Sequence, residues 1–225
     1  MTPLRHAPAA DFPTLLRPRG SNHVGMRQFN ERVVLQAIRL NGSLPKADLA
    51  RLTRLITTRL EEDLLVIKHE RVRGRIGQPS IPLALNPDGA FSIGIKIGRR
   101  SADWLLVDFT GQVRQRQSLD YEFPDKTSLL PTIARHMNSM LDSLGPLRDR
   151  LVGIGVAAPF QLGGWHRMLG LSEAQSETWN QIDLGAEVQA MTEVPVSFAK
   201  DTSAACVAEL VVGRGTNVER VAGVI

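Results

Sequence analysis

Asn86-Pro-Asp-Gly-Ala-Phe-Ser-Ile-Gly-Ile-Lys-Ile-Gly-Arg-Arg-Ser-Ala-Asp-Trp-Leu-Leu-Val-Asp-Phe-Thr-Gly111 is the stretch on which the fold turns. Asn86-Pro-Asp-Gly89 is a turn signature, because Asn and Asp bond their own backbone and Gly accepts unusual φ. Ala90 to Ile97 is apolar and partly alternating, as a half-buried strand should be. Gly98-Arg-Arg-Ser101 then makes a basic turn, Ala102 to Phe109 a second strand, and Thr110-Gly111 a hairpin turn. Val113 to Tyr121 alternates again but is more polar, which predicts a third strand. The spacing therefore gives a three-stranded antiparallel unit at the front of a larger sheet.

Reading forward, Ser128 to Leu144 has the apolar spacing of an amphipathic helix. Leu151 to Ala157 is a short strand of small and branched residues ending at Ala158-Pro159. Val194 to Phe198 is another strand, closing on Ala199-Lys200-Asp201. Thr202 to Val212 follows as a helix with Ala204, Ala205, Val207, Ala208 and Val211 available for burial. Val221 to Ile225 opens one more strand. This is the outline of an α/β, actin-like (ribonuclease H-like) subdomain. A complete fold of that kind has two such halves around a cleft, and residues 86–225 have room for about one.

Reading backward, the character is helical and basic. Met26 to Leu40 carries an apolar stripe of Phe29, Val33, Val34, Ala37, Ile38 and Leu40, stopped by Asn41-Gly42. Ser43 is placed to cap a second helix with Pro45 in its first turn and Ala47, Leu49, Ala50 and Leu52 on its buried side. A third helix is expected from Leu55 to about Leu64, with Ile56, Leu60 and Leu64 inward. Leu65-Val-Ile67 and Pro82-Leu-Ala-Leu85 read as short strands flanking Arg71-Val-Arg-Gly-Arg-Ile-Gly-Gln-Pro-Ser80. Helices followed by a two-stranded ribbon with a basic tip form a winged helix-turn-helix pattern. Its third helix would enter the major groove and its wing would follow the phosphates. Arg71, Arg73 and Arg75 alternate, so an extended ribbon projects them to one side. The alternative reading of 71–80 is a solvated linker. The expected domains are a basic arm at 1–24, a winged-helix domain at 25–85 and an α/β effector domain at 86–225.

Charge follows this division. Residues 1–75 hold 14 Lys or Arg against 7 Asp or Glu, whereas residues 76–225 hold 13 against 16. The positive excess belongs to the front third, which points to an anionic partner for that part. With 43% hydrophobic and 22% charged residues the chain is neither fibrous nor wholly disordered. A lone cysteine, Cys206, excludes an internal disulfide and a zinc cluster of several thiolates. No apolar run suits a signal peptide or a membrane-spanning helix, so a cytoplasmic location is expected.

Arg27-Gln-Phe-Asn30, Lys46-Ala-Asp-Leu-Ala-Arg-Leu-Thr53, Gly74-Arg-Ile-Gly-Gln-Pro79, Asn86-Pro-Asp-Gly89, Gly153-Ile-Gly-Val-Ala-Ala-Pro159 and Lys200-Asp-Thr-Ser-Ala-Ala205 together resemble the ROK family (repressors, open reading frames, kinases) on its transcriptional-regulator branch. The resemblance runs from about Gly20 to Gly223. It implies a winged-helix DNA-binding domain joined to a sugar-kinase-like effector domain, and an oligomer. Three departures bear on function. Where the kinases read Asp-x-Gly-Gly-Thr, this chain reads Lys96-Ile-Gly98-Arg99-Arg100, and a lysine cannot ligate Mg²⁺. Asp201 matches the kinases' catalytic base, but the Asn before it is Lys200, and Asp201 is equally suited to capping the helix that follows. The kinases' zinc motif would lie beyond Ile225, and His166 in Gly163-Gly-Trp-His166 does not match it. Lastly, the helix-turn-helix is shorter than in relatives by about seven residues, or about two helical turns, which removes residues that usually meet base edges.

These readings give a DNA-binding transcriptional regulator, a repressor of carbohydrate-related genes responding to a sugar-like effector, with no catalytic residue, no metal and no cofactor. Its partners are expected to be double-stranded DNA, a small sugar or sugar-phosphate effector, and further copies of itself, with no membrane. The residues expected at DNA are Arg27, Lys46, Arg51, Arg54, Thr57, Thr58, Arg59, Arg71, Arg73 and Arg75. Those expected at the effector are Lys200 and Asp201. The alternatives are a carbohydrate kinase of the same family, disfavoured by Lys96, Arg99 and Arg100, and a non-catalytic interaction remnant without specific DNA recognition.

Overall fold

A computed structural model describes residues 23–53, 57–69, 81–159, 179 and 182–212. The chain divides into two compact units, Met1–Leu60 with Lys68–Ala84, and Glu61–Ile67 with Leu85–Ile225. The expected 1–24 arm, the 71–80 wing and the 221–225 strand fall outside the described residues, apart from His23 and Val24.

α1 (His23–Asn41), β1 (Ser43–Pro45) and α2 (Lys46–Thr53) lie in the first unit, whereas α3 (Thr57–Glu62), β2 (Val66–Lys68) and β3 (Pro82–Leu85) each run across a boundary, at Leu60–Glu61, Ile67–Lys68 and Ala84–Leu85. The strands form a sheet in the order β1-β3-β2. Gly42 adopts a positive φ of 79°, which lets the chain turn after α1. Ser43 then pairs with Ala84 and Pro45 with Pro82, antiparallel. This corrects the reading of Ser43 as a helix cap with Pro45 inside the helix. Local cap signals yield here to pairing with a strand some 40 residues later, which takes up the backbone groups of residues 43–45 themselves. The helical stripe is narrower than expected: Val34 and Ile38 are buried, whereas Phe29 and Leu40 are 59% and 61% exposed. Ala47 is exposed, and on α2 Leu49 is buried. The N–H of His69 donates to the carbonyl of Pro82 at 2.8 Å, so the chain on either side of residues 70–80 is paired strand to strand.

The second unit is built on a five-stranded sheet of β4 (Phe91–Ile97), β5 (Ser101–Asp108), β6 (Val113–Asp120), β7 (Leu151–Ala158) and β8 (Val196–Lys200), in the order β6-β5-β4-β7-β8. β4, β5 and β6 pair antiparallel, while β7 lies parallel to β4 and β8 parallel to β7. Between β6 and β7 runs α4 (Lys126–Ser143). α5 (Leu184–Gln189) precedes β8, and α6 (Asp201–Val212) follows it. Alternation decides which face is covered. Phe91, Ile93, Ile95 and Ile97 of β4, with Ala102, Trp104 and Leu106 of β5, pack with Leu129, Ile133, Met137 and Met140 of α4 in one core. Asp125 starts α4: its side chain accepts from the N–H of Ser128 at 3.1 Å, filling one of the helix's unpaired amides. Trp179 is buried and its indole N–H donates to the carbonyl of Pro124 at 2.5 Å, closing the entry to α4.

Turn chemistry fixes the front of this sheet. Asn86 caps a short 3-10 turn, Pro87–Gly89. At the β5–β6 hairpin the buried Asp108 carboxylate accepts from the N–H of Thr110 at 2.9 Å, its hydroxyl at 2.6 Å and the N–H of Gln112 at 3.1 Å. Burial opposes ionisation of Asp108, but these donors and Arg114 outweigh it and hold the carboxyl below its ordinary range. Gly111, at φ 89°, completes the turn.

Candidate functional site

The positions expected to meet DNA begin on α1 and α2. Arg27 is exposed and lies 3.8 Å from Glu31 one turn on, an exposed pair that holds its charge at the surface without fixing it. Lys46, the first residue of α2, is also exposed. On α3, Thr58 and Arg59 point outward, whereas Thr57 is 3% exposed and shares the inner side with Leu60. Thr57 is thus withdrawn from the expected contact set, because a buried side chain cannot reach a base edge. The side chain of Arg51, and Arg54, Arg71, Arg73 and Arg75 entirely, lie outside the described residues.

Leu64 was expected in the core at the end of this helix. It is instead 50% exposed, with φ 57°. It ends α3 in the left-handed conformation usually taken by Gly or Asn. Nothing in the sequence around it signals this. The compensating group is Asn86, 22 residues on, whose side-chain N–H donates to the Leu64 carbonyl at 2.7 Å.

The second unit offers an edge. β4, β7 and β8 are parallel, with Lys96 opposite Ala157 and Ala158 opposite Lys200. Their carboxyl ends therefore bring Gly98-Arg99-Arg100, Pro159 and Lys200-Asp201 to one side of the sheet, where ligands of open α/β sheets commonly bind. Lys200 is exposed. Asp201 is half-buried and is the first residue of α6, where the N–H of Thr202 donates to its Oδ1 at 2.7 Å. That bond joins adjacent residues, whereas a capping side chain accepts from an amide two or three residues on.

The Gly98–Ser101 turn is tied shut. The N–H of Gly98 donates to the carbonyl of Ser101 at 2.8 Å, and the Tyr121 hydroxyl lies 2.9 Å from the carbonyl of Gly98 and 2.8 Å from that of Ser101. Burial pushes the Tyr121 hydroxyl above its ordinary pKa, so it stays a donor. A Cβ on Gly98 would meet the Ser101 carbonyl at 3.2 Å. The Gly98 amide is thus spent inside the turn instead of facing outward to a phosphate. Beside it, Lys96 is exposed and opposite Asp103 in the ladder. The Asp103 carboxyl accepts from Ser118 at 2.7 Å and from Arg116 at 3.0 Å. Those two bonds, with the Arg116 and Lys96 charges, hold it below its usual value against the effect of burial. Among the described residues no group of three or more His, Cys, Asp or Glu is placed to hold a metal ion.

Residues 92–225, more than half of the chain, match the family model described as the ROK family. The chain belongs to the ROK family. This ROK chain is similar to a "Xylose repressor" of Bacillus subtilis (strain 168), 23% identical over 203 residues that cover 85% of this chain and 51% of the relative. It is also similar to the "DNA-binding transcriptional repressor Mlc" of Escherichia coli (strain K12), 24% identical over 200 residues, 84% of this chain and 48% of the relative. A solved ROK family transcriptional regulator, a homolog of the E. coli MLC protein, superposes with a TM-score of 0.55 at 20% identity, over 85% of this chain and 49% of that one. The ROK chain spans about half the length of the curated relatives it matches. The likeness fixes the fold of its second unit as the actin-like, sugar-kinase-type α/β architecture.

Proposed function

We propose that this chain is a DNA-binding transcriptional regulator in which residues 25–85 hold duplex DNA as a winged helix-turn-helix. The observation that carries this reading is the extent of the match to proteins named as repressors. It covers 84–85% of the chain, more than residues 92–225 can supply, and so reaches into the basic front third. Arg27, Lys46, Thr58 and Arg59 are the described side chains offered to the phosphates. Arg51, Arg54, Arg71, Arg73 and Arg75 complete the set. The second unit takes a small sugar or sugar-phosphate effector at the edge holding Lys200 and Asp201. The protein works as a homo-oligomer in the cytoplasm, as a repressor and not as an enzyme. The closed Gly98–Ser101 turn and Lys96 supply neither a phosphate cradle nor a metal ligand, which favours regulation over phosphoryl transfer.

The test is duplex binding by the whole chain, followed by fluorescence anisotropy across a salt series. Wild type should bind with a steep salt dependence. Replacing Arg71, Arg73 and Arg75 together with Ala should weaken binding at every sequence and flatten the slope of log K against log salt by about 2–3, since each phosphate contact contributes about 0.9. No binding by wild type even at low salt would sink the regulatory reading. An unaltered slope in the triple variant would remove the wing from it.

A further inference from the structure

We propose that Arg99 and Arg100 form an oxyanion subsite at the ligand edge of the second unit, so that the effector is an acidic sugar whose phosphate or carboxylate is held by guanidinium groups. This rests on the reading of that edge as the effector site and deepens it by naming the chemical class of the ligand.

The two arginines occupy the tip of the turn between β4 and β5. The Gly98 N–H donates to the Ser101 carbonyl at 2.8 Å, so residues 99 and 100 alone stand between the paired ends. Hairpin loops this short favour residues that take positive φ, such as Asn and Gly. Among the described residues Leu64 is the non-glycine residue with positive φ, so both arginines sit at negative φ and turn chemistry accounts for neither. Two like charges side by side repel, and an anion between them removes that repulsion. The backbone beneath them is firmly held. The Tyr121 hydroxyl lies within hydrogen-bond reach of the Gly98 and Ser101 carbonyls, and the Tyr121 N–H donates to the Arg100 carbonyl at 2.9 Å. The arginine side chains themselves are exposed. A fixed base under a planar guanidinium lowers the ordering cost of gripping an oxyanion with paired N–H donors. Because the Gly98 amide is spent inside the turn, side chains and not backbone must supply those donors.

The surroundings add charge of the same sign and room for a sugar ring. Lys96 leads into the turn and Lys200 ends β8, both exposed. The carboxylate opposite Lys96, Asp103, is already committed to Ser118 at 2.7 Å and Arg116 at 3.0 Å. Against Lys96, Arg99, Arg100 and Lys200 stand Asp120, opposite Ser101 in the ladder, and Asp201, so the described residues of this edge carry a positive excess. Between the two lysines β7 contributes Ala157, opposite Lys96, and Ala158, opposite Lys200. These small side chains lie within two strand spacings, about 10 Å at roughly 4.8 Å each. Asp201 is an acceptor for sugar hydroxyls at the same edge, and the arginine pair takes the acid group.

Calorimetric titration of the full chain with inorganic phosphate, glucose, glucose 6-phosphate and glucuronate tests this. Wild type should bind at least one acidic sugar about tenfold or more tighter than glucose, as charge-assisted hydrogen bonds allow. Which of the two is tighter tells phosphate from carboxylate. Phosphate should compete with the acidic sugars, and their advantage should shrink as salt screens the exposed guanidinium groups. Arg99→Gln combined with Arg100→Gln should bring the acidic sugars down to the affinity of glucose with no fall in Tm, because the replaced side chains are exposed. Tyr121→Phe keeps the ring and removes the hydroxyl that ties the turn, and should lower the acid advantage in part. If glucose binds, and loses its site in Asp201→Asn, while the acidic sugars bind no tighter or keep their advantage in the double variant, the proposal is overturned and the reading of the edge stands. Phosphate bound equally by wild type and the double variant is an adventitious ion only and counts against the subsite. If none of the four probes binds at about millimolar concentration, the edge reading falls and takes the proposal with it.

Discussion

His136 stacks on the buried indole of Trp104, ring centroids 4.4 Å apart, and its Nδ1 bonds to the Gln117 side-chain oxygen. Gln117 in turn donates to Ser139 at 3.3 Å, and Ser143 donates to Gln115 at 2.9 Å. A polar strip therefore borders the apolar seam between β6 and α4. The Trp104 indole N–H has no hydrogen-bond partner within it. Burial, with repulsion from Arg135, holds the His136 pKa below its ordinary 6.5. The sign of the consequence follows. Below pH 6.5 the unfolded chain takes up a proton at this ring sooner than the folded chain does, so acid favours unfolding. The stabilisation is whole above pH 6.5 and is lost as pH falls from there through the lower folded value. Urea unfolding at pH 7.5 and 5.5 should show this loss in wild type and a smaller one in His136→Phe, which keeps a ring on Trp104 without a titrating group. Equal losses in both proteins would mean that other groups set the pH dependence.

At the scale of elements, α4 is the piece whose inner face closes the second unit. Met137 is 1% exposed in the middle of that face, between Ile133 and Met140. Met137→Ala should cost about 2–5 kcal/mol, the range for emptying a packed core site of that size. A denaturant midpoint that fell with an unchanged slope would confirm the loss, and no fall would mean the core collapses around the gap. This helix was legible, as were β4 and β5, because their apolar positions repeat at 3.6 and 2 over long runs and one face of each is buried. The extension of β8 to Lys200 and the start of α6 at Asp201 were within two residues of expectation for the same reason. β1 was not legible. Ser43 and Pro45 carry every local sign of a helix start, and only the distant Pro82–Ala84 segment makes them a strand. Nor was α5, six residues long and too short for periodicity to register. At the candidate sites, the strand read from Val194 to Phe198 put Lys200 and Asp201 at a strand end, but Thr57 and Leu64 were misplaced. Thr57 shares the inner side of α3 with Leu60, and Leu64 lies past the helix end with its carbonyl bonded to Asn86, a contact between residues 22 apart that no local pattern encodes.

The whole chain passes between its two units three times, at Leu60–Glu61, Ile67–Lys68 and Ala84–Leu85. The regulatory reading proposed above is tested by linkage, because an effector acts only through a difference in its affinity for two arrangements of the protein. If one equilibrium links the two ligands, their effects must be reciprocal. A sugar or sugar phosphate that weakens duplex binding by some factor must itself be bound more weakly, by that same factor, when duplex saturates the protein, and couplings of this kind are commonly about 5–150-fold. Anisotropy titrations of duplex with and without the ligand give one factor, and calorimetric titrations of the ligand with and without duplex give the other. Agreement would show a single linked equilibrium. Two unequal factors would mean that the sugar competes elsewhere or promotes a change of assembly.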